Sequence, residues 1–285
     1  MSNTGSDLWP APAKLNLFLH ITGRRSDGYH SLQTLFQILD WGDDIRIKVT
    51  SSPRIRRLNA SYDVAEQDDL VIRAACLLQR ETAATQGAEI EVIKRVPMGA
   101  GLGGGSSDAA TVLLVLNRLW QCGLSQQDLT ALASCLGADV PVFIQGHTAL
   151  AEGIGERLQA VKLGERHYVL VLPGFSISTA EIFSAAELVR DSAHISLPEA
   201  LAGKGHNDCE TVVRARYPDM AGILDGLRKW GRPVMTGTGS GIFIEMKNEQ
   251  QAKSTAQALK SLYNVRAVRG VDRSPLHQKL DPDGI

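Results

Sequence analysis

Pro97-Met-Gly-Ala-Gly-Leu-Gly-Gly-Gly-Ser-Ser-Asp108 is the most informative stretch of the sequence, and five of its twelve residues are glycine. A strand-like run, 88–96, precedes it, and an apolar helix-like run, 109–120, follows it. Glycine exposes backbone N–H groups, and a helix start adds unpaired N–H donors and the positive end of the helix dipole. We therefore predict a phosphate-binding loop in which Ser106 and Ser107 cap the helix or reach a phosphate or its metal. The alternative is an ordinary flexible loop.

The glycine-rich stretch differs from other phosphate-binding motifs. No Gly-Lys-Ser/Thr closes it, which excludes a Walker A loop, and no Val-Ala-Ile-Lys follows, as it would in a protein kinase. Gly99, Gly101 and Gly104 satisfy Gly-x-Gly-x-x-Gly, but a dinucleotide-binding fold also needs a second strand that ends in an acidic residue about twenty positions later. Here Ser125 and Asp128 instead form the Ser-x-x-Asp pattern of another helix start. The interpretation of the chain as a dinucleotide-binding oxidoreductase would therefore rest on the Gly-x-Gly-x-x-Gly match alone.

Composition places the chain among globular proteins of mixed α/β content. Its 285 residues suit one large domain or two modest ones, and 44% hydrophobic residues support a core. The 30 Lys and Arg residues balance the 31 Asp and Glu residues, so we expect no nucleic-acid partner. No apolar run reaches ~18 residues, so we expect no membrane span.

Cysteine usage and the first residues favour a cytoplasmic protein. Met1–Pro10 lacks a basic flank and an apolar segment, so we expect no signal peptide. The cysteines are widely spaced, with no Cys-x-x-Cys, at Cys76, Cys122, Cys135 and Cys209. We expect reduced thiols, not a disulfide or zinc framework.

Residues 13–21 alternate in the manner of a β-strand. One face is expected to carry Ala13, Leu15, Leu17 and Leu19, and the other to carry Lys14, Asn16, Phe18 and His20. Lys14 and Asn16 would then project together, about 7 Å apart along the strand. The alternative for Lys14 is a solvated lysine at a sheet edge.

Asp27-Gly28 predicts a hairpin turn, after which Tyr29 and His30 begin a second strand over 31–40. The pattern of residues 44–50 predicts a further, separate strand. For Tyr29 and His30, simple packing at the turn is an equally plausible role.

Two later motifs bear on the chemistry. Gly137-Ala-Asp-Val-Pro141 contains Asp139, which by local pattern alone would cap a short helical turn. Met235-Thr-Gly-Thr-Gly-Ser-Gly241 is a second glycine-rich loop before a strand, and by itself it also fits a tight turn. Ser178 starts a helix that includes Phe183, for which a core position is the rival interpretation.

Taken together, these motifs resemble the galactokinase, homoserine kinase, mevalonate kinase and phosphomevalonate kinase (GHMP) superfamily. The opening Pro-Ala-Lys-Leu-Asn-Leu-Phe-Leu-His-Ile, the Asp-Gly-Tyr-His turn and the tripled glycine most resemble its 4-diphosphocytidyl-2-C-methyl-D-erythritol kinases. The resemblance runs from about Pro10 to His277. Departures are minor: Ala100 stands where some members have glycine, and Asp108 where some have asparagine.

The resemblance implies an α+β fold of two domains. Residues 1–158 would form an N-terminal nucleotide-binding kinase domain like domain 2 of ribosomal protein S5. Residues 159–285 would form a ferredoxin-like, substrate-side domain. It also implies ATP and Mg²⁺ as cofactors, 4-diphosphocytidyl-2-C-methyl-D-erythritol as substrate, and a monomer or weak homodimer.

The same resemblance implies a role for each candidate site residue. Lys14 and Asp139 would be catalytic. ATP would be bound by Pro97, Met98, Gly99, Ala100, Gly101, Leu102, Gly103, Gly104, Gly105, Ser106 and Ser107. The substrate would be bound by Asn16, Tyr29, His30, Thr179 and Phe183. The second loop would lie near the transferred phosphate through Thr236, Gly237, Thr238 and Gly239. No metal ligand is assigned. The remaining alternatives are a superfamily kinase for homoserine or a mevalonate derivative, and a non-catalytic nucleotide sensor.

Overall fold

The computed structural model describes residues 8–59 and 64–283. Their strands join in a single sheet, in the order β3-β4-β2-β10-β7-β9-β8, with β1 and β5 also paired to β2 and β6 paired to β5. The strands are β1 (Leu8–Arg24), β2 (His30–Thr50), β3 (Ile55–Arg57), β4 (Gly87–Ile93), β5 (Ala149–Gly153), β6 (Arg157–Ala160), β7 (Arg166–Leu172), β8 (Pro233–Met235), β9 (Ile242–Met246) and β10 (Asn264–Val271).

Helices pack on this sheet, which confirms the mixed α/β class. They are α1 (Leu70–Thr82), α2 (Gly104–Leu119), α3 (Gln126–Ser134), α4 (Val140–Gln145), α5 (Thr179–Ser184), α6 (Leu197–Leu201), α7 (Asp208–Arg216), α8 (Pro218–Leu227), α9 (Glu249–Leu259) and α10 (Pro275–Leu280). Among the described residues, no helix has the length and apolar character needed to cross a bilayer.

Strand β2 is the centre of the sheet. It runs unbroken for 21 residues, so the expectation of separate strands over 31–40 and 44–50 was wrong. One of its edges pairs with β1, and the other pairs in turn with β5, β10 and β4. Gly42 makes this continuity possible, because a Cβ there would lie 2.0 Å from the backbone oxygen of Ala11 in the neighbouring strand.

A β-bulge in β1 interrupts the alternation that was predicted along residues 13–21. The register pairs Asn16 with Phe36 and then Leu19 with Thr34, so β1 has one extra residue between the two pairs. The faces exchange beyond Asn16. Phe18 and His20 therefore do not share a face with Lys14, and Leu19 lies at the cleft described below.

Two large clusters of buried apolar side chains form the core. One joins α1 and α2 to β2 and β4, and α2 is buried on nearly all sides, as its sequence indicated. The other joins α5, α7, α8 and α9 to β7 and β9. Helix α10, which the sequence did not indicate, returns to the first cluster through Leu276. The predicted boundary at residue 158 lies within β6, which pairs with β5, and the division into two domains stays a prediction.

Side chains cap several helices at their N-termini, whereas α2, α4 and α8 have no side-chain cap. The Asp69 side chain accepts from the N–H of Val71, and Ser125 and Asp128 form a capping box. Helix α2, however, begins at Gly104 with Gly103 as its N-cap. Ser106 and Ser107 therefore lie within the helix, and the expectation that they cap it was wrong. An earlier start is possible because glycine adopts the left-handed conformation of residue 103 (φ 70°) without strain.

We expect Gly42→Ala to lower the free energy of unfolding by about 1–3 kcal/mol, because the added methyl group must displace the β1 backbone. Gly222→Ala is the matched control, since Gly222 lies inside α8 with open space at its Cβ position. It should raise stability by up to about 1 kcal/mol. Urea denaturation measures both, and a Gly42→Ala protein as stable as the parent would contradict the account of β2.

Candidate active site

The two glycine loops lie against each other through their backbones. The N–H of Ser240 donates to the oxygen of Gly99 over 3.1 Å, and the N–H of Gly241 donates to the oxygen of Ala100 over 3.1 Å. A Cβ on Gly101, whose φ is +68°, would lie 2.1 Å from the oxygen of Thr236. Glycine is therefore required at residue 101 for conformation and for space.

Strand β1 is fastened to the same loops. The N–H of Lys14 donates to the oxygen of Leu102 over 3.0 Å. The N–H of Asn16 donates to Oγ1 of Thr236 over 2.9 Å, and that hydroxyl donates in turn to the oxygen of Gly101 over 3.2 Å. Thr236 thus joins the strand to both loops. The Thr236 hydroxyl uses its hydrogen bonds for these protein contacts, so it does not serve as a phosphate ligand.

Lys14 is buried beside the first glycine loop, with 2% of the residue exposed. Its Nζ lies 2.5 Å from Oδ1 of Asn16 and 3.2 Å from Oδ2 of Asp139, and 5.1 Å from the centre of the Phe36 ring. A buried ammonium is costly unless it is paired. The alternative of a solvated edge lysine is therefore wrong.

Asp139 presents its carboxylate to the cleft. It stands at the N-cap position of α4, but its side chain makes no capping hydrogen bond. Its side chain is 37% exposed, and the contact it makes with another described residue is the ion pair with Lys14. The interpretation of this aspartate as a helix cap alone was therefore wrong.

A cleft of about 940 Å³ gathers nearly all of the candidate residues. It is lined by Lys14, Asn16, Tyr29, His30, residues 97–106, Asp139, Thr179, Phe183, Gly237 and Thr238. Three candidates do not line it. Ser107 is 1% exposed, and its Oγ has no hydrogen-bond partner among the described residues. Thr236 lies beneath Asn16, and Gly239 packs against Met235 and Ile177.

Aromatic side chains form one end of the cleft. Tyr29 is 60% exposed beside the hairpin turn, while the rings of His30 and Phe183 lie 5.3 Å apart at 32°. Phe183 also packs against the second core cluster, so its core role and its place in the cleft coexist. Oγ1 of Thr179 lies 2.9 Å from Oγ1 of Thr238, which links this end to the second glycine loop.

Arg190 lies behind this aromatic end and was not singled out in the sequence. Its Nε donates to Nε2 of His30 over 3.0 Å. Burial lowers the pKa of His30 below its usual value, and the Arg190 and Arg24 cations lower that pKa further. His30 is therefore a neutral imidazole near pH 7. Sequence offered no signal for the pair, because its members are 160 residues apart.

A buried charge cluster next to the first glycine loop was also missed. Nζ of Lys94 lies 2.5 Å from Oδ2 of Asp43 and 2.8 Å from Oδ2 of Asp108. Burial raises the pKa of Asp108 to about 7, against the lowering effect of Lys94 and with a further rise from Asp43. The two carboxylates raise the pKa of Lys94, although burial opposes this. No group of three or more His, Cys, Asp or Glu side chains that could hold a metal ion occurs in the described residues, this cluster included.

Comparison with known proteins identifies relatives over almost the whole chain. Residues 69–147 match the model of the GHMP kinases N terminal domain. The chain is 48% identical over 276 residues to the 4-diphosphocytidyl-2-C-methyl-D-erythritol kinase of Halorhodospira halophila, with 96% of each chain covered. It is 49% identical over 277 residues to the kinase of that name from Nitrosococcus oceani, covering 97% of this chain and 99% of the relative.

Solved structures agree with the sequence relatives. A crystal structure of 4-(cytidine 5'-diphospho)-2C-methyl-D-erythritol kinase superposes with a TM-score of 0.80 at 34% identity, over 93% of this chain and 100% of the other. Mevalonate kinase from Methanococcus jannaschii, at 14% identity and a TM-score of 0.66 over 95% of this chain and all of its own, shares the fold. The predicted GHMP kinase fold is confirmed, and the names of its two domains stay predictions.

We expect Asp108→Asn to stabilise the protein more at pH 8 than at pH 5. The folded pKa of Asp108 is raised from 3.8 to about 7. The contribution of this group to stability is therefore complete below pH 3.8 and is lost as the pH rises through 7. Asparagine removes the charge and with it this loss. Urea denaturation at both pH values, with the exposed Asp225→Asn as control, measures the difference. A stabilisation that is equal at both pH values, or larger at pH 5, would contradict the titration of Asp108.

Proposed function

The chain belongs to the family of 4-diphosphocytidyl-2-C-methyl-D-erythritol kinases, and from this premise we propose the reaction that it catalyses. It transfers the γ-phosphoryl group of ATP to the 2-hydroxyl of 4-diphosphocytidyl-2-C-methyl-D-erythritol, in the non-mevalonate (methylerythritol phosphate) route to isoprenoid precursors. The observation that carries the proposal is the contact between Lys14 and Asp139, 3.2 Å, in the cleft that the first glycine loop lines.

ATP is held mainly by the backbone of residues 97–106. These residues line the cleft and lead directly into the N-terminus of α2, where unpaired N–H groups and the helix dipole favour an anion. The second loop would lie near the transferred phosphate through Gly237 and Thr238, which reach the cleft. Ser107 and Thr236 support the loops instead, since neither lines the cleft.

Mg²⁺ fits the donors of this cleft. Mg²⁺ is usually bound by one or two protein oxygens together with substrate phosphates, so a preformed cluster of carboxylates is not needed. The Ser106 hydroxyl, which lies at the start of α2 in the lining of the cleft, is the protein oxygen that would hold it. When bound, it neutralises charge on the β- and γ-phosphate oxygens.

Asp139 and Lys14 act on the acceptor hydroxyl. The carboxylate first orients the hydroxyl and takes its proton late, because phosphoryl transfer has a loose transition state in which the nucleophile becomes acidic only near the end. Lys14 keeps this carboxylate in place and stabilises the charge that develops on the phosphoryl group. A nucleotide sensor would have no need of this pair.

The aromatic end of the cleft receives the cytosine base. Tyr29 and Phe183 stack on its faces and His30 binds its edge, while Asn16 and Thr179 contact the remainder of the substrate. Stacking of a base on an aromatic side chain contributes about 1–3 kcal/mol. Homoserine and mevalonate lack a base, so these side chains favour the cytidyl substrate over those of the other superfamily kinases.

The organisation of the protein is also a proposal. Residues 1–158 form the nucleotide-binding domain and residues 159–285 the substrate-side domain, in agreement with the two core clusters. The enzyme works in the cytoplasm as a monomer or weak homodimer, without a nucleic-acid partner. Balanced charge supports the absence of a nucleic-acid partner, and the unpaired state of the four cysteines supports a reducing compartment. ADP release, measured with the cytidyl substrate, homoserine and mevalonate, with and without Mg²⁺, tests substrate and metal together.

We expect Asp139→Asn to lower kcat by about 10²- to 10⁴-fold while KM for both substrates changes little, because the amide cannot accept the proton. Lys14→Ala should likewise lower kcat more than it raises KM. Asp225→Asn, on the exposed side of α8, is the control and should retain normal turnover. A kcat near that of the parent in Asp139→Asn would refute the assignment.

We expect methylerythritol phosphate, which lacks the cytidyl group, to be a very poor substrate. Tyr29→Ala should raise KM for the cytidyl substrate about fivefold to 100-fold, the loss of one stacking contact, with KM for ATP unchanged. Steady-state kinetics of ADP release measure each constant. Comparable kcat/KM values for the two acceptors would contradict the proposal that the enzyme recognises the cytosine base.

A further inference from the structure

Arg190 contacts the aromatic end of the cleft through His30. It does not line the cleft but lies behind His30, half-buried. Its guanidinium is held by the segment that follows α5. Nη1 donates to the oxygen of Leu188 over 2.9 Å, and Nη2 donates to the oxygens of Phe183 and Ala185 over 3.2 and 2.5 Å. The third nitrogen, Nε, donates to Nε2 of His30.

This contact settles which nitrogen of His30 carries the proton. A guanidinium only donates hydrogen bonds, so Nε2 of His30 must be the acceptor. A neutral imidazole that accepts at Nε2 carries its proton on Nδ1. Nδ1 has no partner among the described residues, and the ring lines the cleft. His30 therefore offers the cleft one N–H donor and no acceptor.

A pyrimidine edge distinguishes a donor from an acceptor at its N3 position. Cytosine has an unprotonated N3, which accepts a hydrogen bond, whereas uracil carries a proton on N3 and donates one. An imidazole that can exchange its tautomers could form a hydrogen bond with N3 of either base. An imidazole whose proton is held on Nδ1 can form this hydrogen bond only with cytosine.

Resting on the function proposed above, we propose that Arg190 is a positioning residue that selects cytosine over uracil by fixing His30 as an Nδ1–H donor toward N3 of the base. It acts only through His30 and touches neither substrate. Its contacts to the oxygens of Phe183 and Ala185 place the donor and the stacking ring on one support, so the edge and the face of the base are recognised together.

The rival account is that Arg190 merely holds the end of α5, and that its removal would disturb Phe183. Arg216→Met is the matched control for this account. Arg216 contacts Glu187 over 2.7 Å and Glu181 over 3.6 Å, so it binds the same segment without reaching His30.

The test combines kinetics with the tautomer of His30. Arg190→Met, His30→Ala, the double variant and Arg216→Met are assayed with the cytidyl substrate and its uridyl analogue. The ring nitrogens of His30 are assigned by ¹⁵N NMR on the full chain, from the signals that disappear in His30→Ala. The NMR measurement needs no substrate.

We expect Arg190→Met to raise KM for the cytidyl substrate about threefold to tenfold, the loss of one hydrogen bond, and to lower the preference for cytosine over uracil. KM for ATP and kcat should stay within about twofold, and Arg216→Met should behave as the parent. In the His30→Ala background, Arg190→Met should add nothing. In the parent, Nδ1 should carry the proton.

Three results would overturn the inference: a proton on Nε2 of His30 in the parent, an unchanged base preference in Arg190→Met, or a full effect of Arg190→Met in the His30→Ala background. A parent enzyme that does not phosphorylate the cytidyl substrate at all would instead overturn the proposed function and the inference with it. The two failures are therefore distinguishable.

Discussion

The close approach of the two glycine loops is the constraint on which the rest of the site depends. The oxygen of Thr236 occupies the space that a side chain on residue 101 would need. This proximity lets the Thr236 hydroxyl bind the N–H of Asn16, and Oδ1 of Asn16 in turn accepts from Nζ of Lys14. One backbone contact therefore positions, through two hydrogen bonds, the ammonium group that faces Asp139.

The burial of Lys14 makes sense only in this setting. An ammonium withdrawn from water costs several kcal/mol unless charged and polar groups replace the lost hydration. Asn16, Asp139 and the face of the Phe36 ring supply that replacement, but the Asp139 carboxylate remains partly exposed. The pair is thus asymmetric, with a fixed cation and an accessible anion. In the proposed reaction, a developing phosphoryl charge would meet a cation already in place, and the carboxylate would still have an oxygen for an alcohol.

Local patterns predicted the parts of this structure that depend on neighbouring residues. The glycine loop, the Asp27-Gly28 turn and the capping box of α3 each follow from a few adjacent side chains. Most failures arose where distant segments decide, whereas the start of α2 at Gly104 was set locally by Gly103. The bulge between Asn16 and Leu19 is set by the register with β2, and the pairing of Asp43 with Lys94 joins residues 51 positions apart. The periodicity of neighbouring residues does not reveal a strand register or an ion pair of this kind.

The resemblance to known kinases supplied what periodicity could not, namely that Lys14, Asp139 and the second loop belong to one site. It gave no indication of Arg190, whose contact with His30 depends on the path of the chain after α5.

The two ends of the cleft use different chemistry for a physical reason. Phosphates are similar in every nucleotide, so backbone N–H groups and a helix terminus suffice to bind them. A base is recognised by its edge and its faces, which requires side chains with defined proton positions. Both ends are connected by one β-ribbon, because Lys14 and Asn16 lie on β1 and His30 begins β2, where it pairs with Arg24. In the proposed substrate complex, the register of this ribbon would set the separation between the base and the reacting hydroxyl. An added residue in either strand would displace one end relative to the other, so the bulge after Asn16 would contribute to the proposed substrate selection together with the residues that line the cleft.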